Sequence, residues 1–99
     1  MVFDISKVSG IGKYTEKQEV VDEKPRTLFL KDEKAFLVVN KNTLEVRTDE
    51  ELRKLLVEKY ESVMESRYFG KGGVEIVVAG NQLSEDELFD LVRLSYNLS

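Results

Sequence analysis

The sequence predicts an α+β domain in which an antiparallel sheet of about five or six strands is covered on one face by two helices. Three observations predict it. Short apolar segments separated by charged or Asn-rich turns fill the middle of the chain. Two stretches of 3.6-residue periodicity follow, each opened by a hydroxyl residue with a glutamate three positions later. A further apolar run, residues 74–79, lies between those two stretches.

Residues 1–8 and 14–21 alternate weakly with period two around Gly10-Ile11-Gly12, which predicts a β-hairpin turning at the glycines, with Pro25 closing the segment. Thr27-Leu28-Phe29-Leu30 and Ala35-Phe36-Leu37-Val38-Val39 are rich in β-formers and flank the charged Lys31-Asp32-Glu33-Lys34, a hairpin signal. Asn40-Lys41-Asn42 tolerates left-handed backbone. It leads into residues 43–47, where Leu44 and Val46 alternate with Glu45 and Arg47, so a three-stranded meander is expected. Thr48 and Glu51 have the spacing of a capping box, which predicts a helix over 48–60 with Leu52, Leu55, Leu56 and Tyr60 on its buried stripe. Residues 67–73, RYFGKGG, read as a glycine-rich connection into a strand over 74–79 that Gly80-Asn81 ends. Ser84 and Glu87 form a second capping box, with Glu85 and Asp86 favourably placed in the first turn. The helix it opens, 84–98, carries a stripe of Leu88, Leu91, Val92 and Ser95 widened by Phe89 and Tyr96.

At 99 residues and 11.4 kDa the chain has material for one core, so residues 1–99 are expected to be a single domain. Hydrophobic residues at 41% are enough to offset the entropy of ordering, and 34% charged residues suit a soluble surface. There is no cysteine and no histidine. That removes disulfides, thiolate metal sites, a cysteine nucleophile and the usual general base near neutral pH, and with them the serine-hydrolase and zinc-enzyme readings. No catalysis, metal or small-molecule cofactor is expected. No apolar run approaches the roughly 20 residues that span a bilayer, and MVFDISK lacks a basic segment followed by an apolar stretch, so the cytoplasm is the expected compartment. The net charge of −4 opposes holding a nucleic-acid backbone by the overall field. Residues 1–48 carry nine Lys/Arg against eight Asp/Glu, and residues 49–99 six against eleven, so anion binding is confined to the first half and its neighbours.

The order of the last third, VEIVVAGNQLSEDELFDLVRLSYNLS, with its strand, turn, capped helix and serine-tyrosine end, resembles the MmcQ/YjbR family of small bacterial domains. The likeness covers residues 28–60 and 74–98. It implies a CyaY-like α/β sandwich, an antiparallel sheet with helices on one face, and a double-wing DNA-binding role. Two features depart from the family pattern. Gly73 stands where members commonly carry a tryptophan after a basic loop, and residues 1–25 form a divergent N-terminal segment in place of the usual first helix.

Arg67, Tyr68, Phe69 and Lys71 combine cations and aromatic rings on a glycine-flexible loop, a pattern that stacks a base and meets phosphate. The bland alternative is a connection whose rings pack on the core edge and whose cations are solvated. Lys13 belongs to VSGIGKYT, which has the glycines of a helix-hairpin-helix turn; the flanks make poor helices, so a plain turn is the competing reading. Lys7, Lys17, Lys24 and Arg26 add to a basic rim if the N-terminal hairpin lies beside the 67–73 loop, although Asp4, Glu16, Glu19, Asp22 and Glu23 offset them. Acids at the helix starts, among them Asp49, Glu50, Glu51, Glu85 and Asp86, have a sufficient cause in capping and dipole complementarity. Ser95 and Tyr96 are expected to pack the last helical turn onto the sheet, Tyr96 with its hydroxyl wet. The function expected is a noncatalytic binding module for DNA, or alternatively a protein-binding or homodimerising domain that uses apolar surface left on the uncovered face.

Overall fold

Period-two alternation sends more than a third of the chain into a single antiparallel sheet. The computed structural model describes residues 3–80 and 82–99. Its strands are β1 (Thr15–Val21), β2 (Lys24–Lys31), β3 (Lys34–Val39), β4 (Thr43–Arg47), β5 (Val63–Ser66) and β6 (Gly70–Val77), ordered β1-β2-β3-β4-β6-β5. The first four form a meander. Helix α1 (Glu50–Lys59) then carries the chain past β6 to the far edge, where β5 lies outermost and β6 returns to pair with β4. Helix α2 (Glu85–Leu98) packs on β3 and β4, and α1 on β5 and β6.

Register places the core on one face. Phe29 pairs with Leu37, Leu37 with Val46, Val46 with Val74, and Leu44 with Ile76, so these side chains project together toward Leu56 of α1 and Leu88 and Val92 of α2. A β-bulge between Phe29 and Leu30 leaves Phe36 without an opposite residue, and Phe36 joins the core beside Leu37. Ser95 fixes α2 to the sheet. Its hydroxyl donates to the Phe36 carbonyl at 2.5 Å and accepts from the Arg47 amide at 2.7 Å, bridging two strands.

The N-terminal quarter differs from the expectation. Ile5–Gly10 is a 3-10 helix, capped by Asp4 accepting from the Ser6 amide, and it places Val8 in the core. No hairpin turns at Gly10-Ile11-Gly12; β1 pairs instead with β2, and the turn between them is Asp22-Glu23. Asp22 and Glu23 take φ of 52° and 66°, and the next turn, Asp32-Glu33, repeats the geometry at 50° and 68°. Two-residue turns with both central residues left-handed match the twist of the flanking strands, so the fold imposes them even without glycine. Gly12 instead makes room for a ring: a Cβ there would lie 2.7 Å from Cζ of Tyr96. Pro25 does not close the segment; it lies inside β2 opposite Val20. There its nitrogen faces away from β1, beyond the point at which β3 begins to pair at Thr27. Part of the strand expected over 1–8, and Asn81 at the expected strand end, lie outside the described residues.

Helix α1 is capped by Asp49, whose carboxylate accepts from the Leu52 amide at 2.7 Å, and not by Thr48, which is buried. It contacts the core through Leu52, Leu56 and Tyr60, spaced by four; Leu55, roughly 100° round from Leu56, is 59% exposed, contrary to expectation. The second capping box forms as expected, Glu87 N to Ser84 Oγ at 3.1 Å and Ser84 N to Glu87 Oε1 at 3.0 Å. Strand β5 was not foreseen, and the last strand is displaced toward the N-terminus, so Lys71 lies in β6 and residues 78–80 form a 3-10 turn.

Candidate functional site

The face away from the helices carries the unexpected chemistry. Glu45 and Glu75 stand directly opposite on β4 and β6, on the alternate positions to Leu44, Val46, Val74 and Ile76, and both are buried. Each accepts three hydrogen bonds. Glu45 Oε1 accepts from Ser66 Oγ at 2.8 Å and the Tyr68 amide at 2.9 Å, and its Oε2 from Asn40 Nδ2 at 2.8 Å. Glu75 receives Arg67 bidentately, Nε at 2.9 Å and Nη2 at 2.7 Å, and Thr43 Oγ1 at 2.8 Å. Burial pushes the Glu75 carboxyl up, but Arg67 and Thr43 outweigh it and hold the group below the usual carboxylate range. The same pairing raises Arg67.

This network explains why the open face is not apolar. The turn from Ser66 to Gly70 folds back over the sheet, and the Tyr68 ring lies 5.2 Å from the Arg26 guanidinium on β2, so the turn reaches across β4 and β3. Leu28 and Val38, which project on this side, are buried. The expected apolar surface is therefore absent from the sheet centre. A groove of about 960 Å³ remains at one end, between the β1–β2 tip and the β3–β4 turn, lined by residues including Gln18, Arg26, Asn40, Thr43, Glu45 and Arg67.

The four residues singled out from the sequence are not brought together. Arg67 is committed to Glu75, although its side chain is 71% exposed. Tyr68 packs edge-to-face on Phe69 at 4.9 Å and is partly exposed. Lys71 is exposed on β6, and its carbonyl accepts from Arg53 Nε at 3.0 Å. Lys13 lies on the opposite side of the sheet, where its carbonyl accepts the Tyr96 hydroxyl at 2.9 Å, so that hydroxyl is bound by the chain. The rim of N-terminal cations is dispersed likewise, Lys7 to Glu85 and Arg26 to Glu19. All five arginines have partners within the chain: besides Arg26, Arg53 and Arg67, Arg47 donates to the Ala35 carbonyl and Arg93 to Asp90.

The edge of the sheet leaves backbone groups unpaired. In a two-residue hairpin the residues flanking the turn, Val21 and Lys24, are a hydrogen-bonded pair, so Thr15, Lys17, Glu19 and Val21 bond β2 while Glu16, Gln18 and Val20 direct N–H and C=O outward. Strand β1 is an edge of seven residues, without proline or bulge, and Val20 on it is 69% exposed. The opposite edge, β5, has four residues and a register shift at Glu65/Ser66.

No family model matches the chain, and neither does any curated protein or solved structure. Among the described residues no helix is long and apolar enough to cross a membrane, and no group of three or more acidic side chains is placed to hold a metal ion.

Proposed function

We propose that this chain is a noncatalytic protein-interaction module acting in the cytoplasm, of the MmcQ/YjbR-like kind that its sequence resembles, and that β1 is its docking edge. The observation that carries the reading is the row of outward backbone groups at Glu16, Gln18 and Val20 on a long, unbroken edge strand. A strand laid against them gains main-chain hydrogen bonds without rearrangement of the sheet. The test is a photo-crosslinking side chain in place of Glu16, with the adduct identified by mass spectrometry. A protein adduct that Val20→Pro suppresses supports the reading; absence of any protein adduct sinks it.

DNA binding is a second reading. It is favoured by the partly exposed Tyr68 beside Arg26 and Arg67 on the open face, a ring and two cations within reach of a stacked base. Its test is a mobility shift of labelled duplex and single strand. A shift at low salt that fades steeply toward physiological salt, and weakens in the double variant Arg67→Ala, Lys71→Ala, supports it. No shift at low salt ends it.

A further inference from the structure

Taking β1 to be the docking edge proposed above, we infer that its occupant is a second copy of this chain, paired antiparallel about a two-fold axis at Gln18, so that the two sheets run on as one. The inference comes from the order of charges on the strand, TEKQEVV. Antiparallel pairing must bring outward-facing residues opposite outward-facing residues, which restricts it to registers that match Glu16, Gln18 and Val20 among themselves or centre on the residues between them.

Centring on Lys17 sets Lys17 against Lys17 of the other copy, and centring on Glu19 sets Glu19 against Glu19. Both oppose like charges at the closest cross-strand distance. Centring on Gln18 does the reverse. Lys17 of each copy then faces Glu19 of the other, twice by symmetry, while Gln18 faces Gln18 and Val20 faces Glu16, and every outward N–H and C=O of the three residues finds a partner. Centring on Glu16 or Val20 shortens the paired stretch and loses both Lys17–Glu19 contacts. The Gln18 register alone combines full length with opposite charges.

Other features of the strand agree. Edges that must stay single are blunted by bulges, proline, shortness or charged side chains that find no opposite charge across the edge. Here β5 is short and shifted, whereas β1 is long and unbroken with alternating sign. The one proline nearby, Pro25, sits on β2 and leaves the β1 edge untouched.

Light scattering and sedimentation should give a dimer for the wild-type chain. Lys17→Glu and Glu19→Lys should each weaken association roughly ten-fold, because each opposes like charges twice. An equimolar mixture of the two variants should restore it as a heterodimer, since four opposed like charges become two attractive pairs. Gln18→Cys supplies the only cysteine in the chain. Hydrogen-bonded cross-strand partners lie about 5.5 Å apart at Cα, within disulfide reach, so mild oxidation should trap a covalent dimer. Thr15→Cys should not, because the two copies of residue 15 are then about 20 Å apart. Circular dichroism of each variant checks that the fold is kept.

A wild-type monomer overturns the inference, as does a dimer that both reversals leave intact and Gln18→Cys fails to trap. A monomer whose residue 16 crosslinks to a different protein overturns self-pairing and leaves the interaction-module reading standing. No protein adduct at residue 16 overturns both.

Discussion

Removing Arg67 should destabilise the chain far more than neutralising its partner. Glu75 keeps only 3% of its side-chain surface, next to Glu45, and accepts two bonds from Arg67 and one from Thr43. In Arg67→Ala a buried carboxylate loses its counter-charge, which typically costs about 3–5 kcal/mol when both partners are buried. The guanidinium is 71% exposed, so water recovers part of this and about 2 kcal/mol remains. Glu75→Gln instead leaves an already solvated cation and keeps an acceptor for Thr43, a cost of about 0.5 kcal/mol.

The sign of the pH dependence follows. In the wild-type chain the Glu75 carboxyl lies below its ordinary 4.5, so its contribution is complete above that pH and is lost as pH falls through the lower folded value. In Arg67→Ala burial loses its main counterweight, the carboxyl moves up from its wild-type position, and the variant loses stability relative to the wild type as pH rises toward neutrality. The gap between the two proteins should therefore close from about 2 kcal/mol at neutral pH toward zero below pH 4.5. Urea unfolding followed by far-ultraviolet circular dichroism across this range measures it, since the chain has no tryptophan to report. Equal costs for the two variants at neutral pH, or a gap that does not change with pH, would refute the reasoning.

Gly73→Ala should cost about 2–3 kcal/mol in the same assay, because the new Cβ would strike the Val46 carbonyl and lie 2.8 Å from Cβ of Phe69. Glu33→Gly should raise the melting temperature by about 2–4 °C, since glycine relieves a left-handed residue at φ 68° at a smaller entropic cost; a lower melting temperature would contradict it. Leu56→Ala should destabilise by about 2–3 kcal/mol and Leu55→Ala by less than about 0.5, which distinguishes the observed face of α1 from the wider stripe its sequence suggests.

Where the determinants are local, the sequence was sufficient. The α2 helix combines a capping box and an apolar stripe within fifteen residues, and strands β2 to β4 carry their own turns. Where they are distant, it was not. Val63–Ser66 is a strand because β6 pairs with it; its buried positions are only the first and last, so no alternation announces it. Gly10 and Gly12 outweighed the quieter Asp22-Glu23 as a turn signal, although Gly12 answers to Tyr96, more than eighty residues away. The candidate site divides in the same way. Arg67 and Tyr68 were legible as a cation and a ring on one loop, but Glu45 reads as the solvent side of an alternating strand and Glu75 as one acid in an apolar run. Only the back-folding of the 66–70 turn buries them, and no spacing in the sequence encodes it.

That back-folding also decides where recognition can occur. A cation that recognises phosphate must exchange its present partner for the ligand, and Arg67 would have to leave a buried carboxylate unpaired to do so. The same bidentate pair that stabilises the open face thus raises the cost of using it, and Glu45 is buried and already accepts from Ser66, Asn40 and the Tyr68 amide. With one face covered by helices and the other closed by this network, the unspent hydrogen-bonding capacity of the sheet lies at its margins. Of the two margins, β5 is short and irregular, and β1 is long, unbroken and alternately charged. An interaction along β1 draws on backbone groups that the fold has left free, and for that reason leaves the bonds to Glu45 and Glu75 in place.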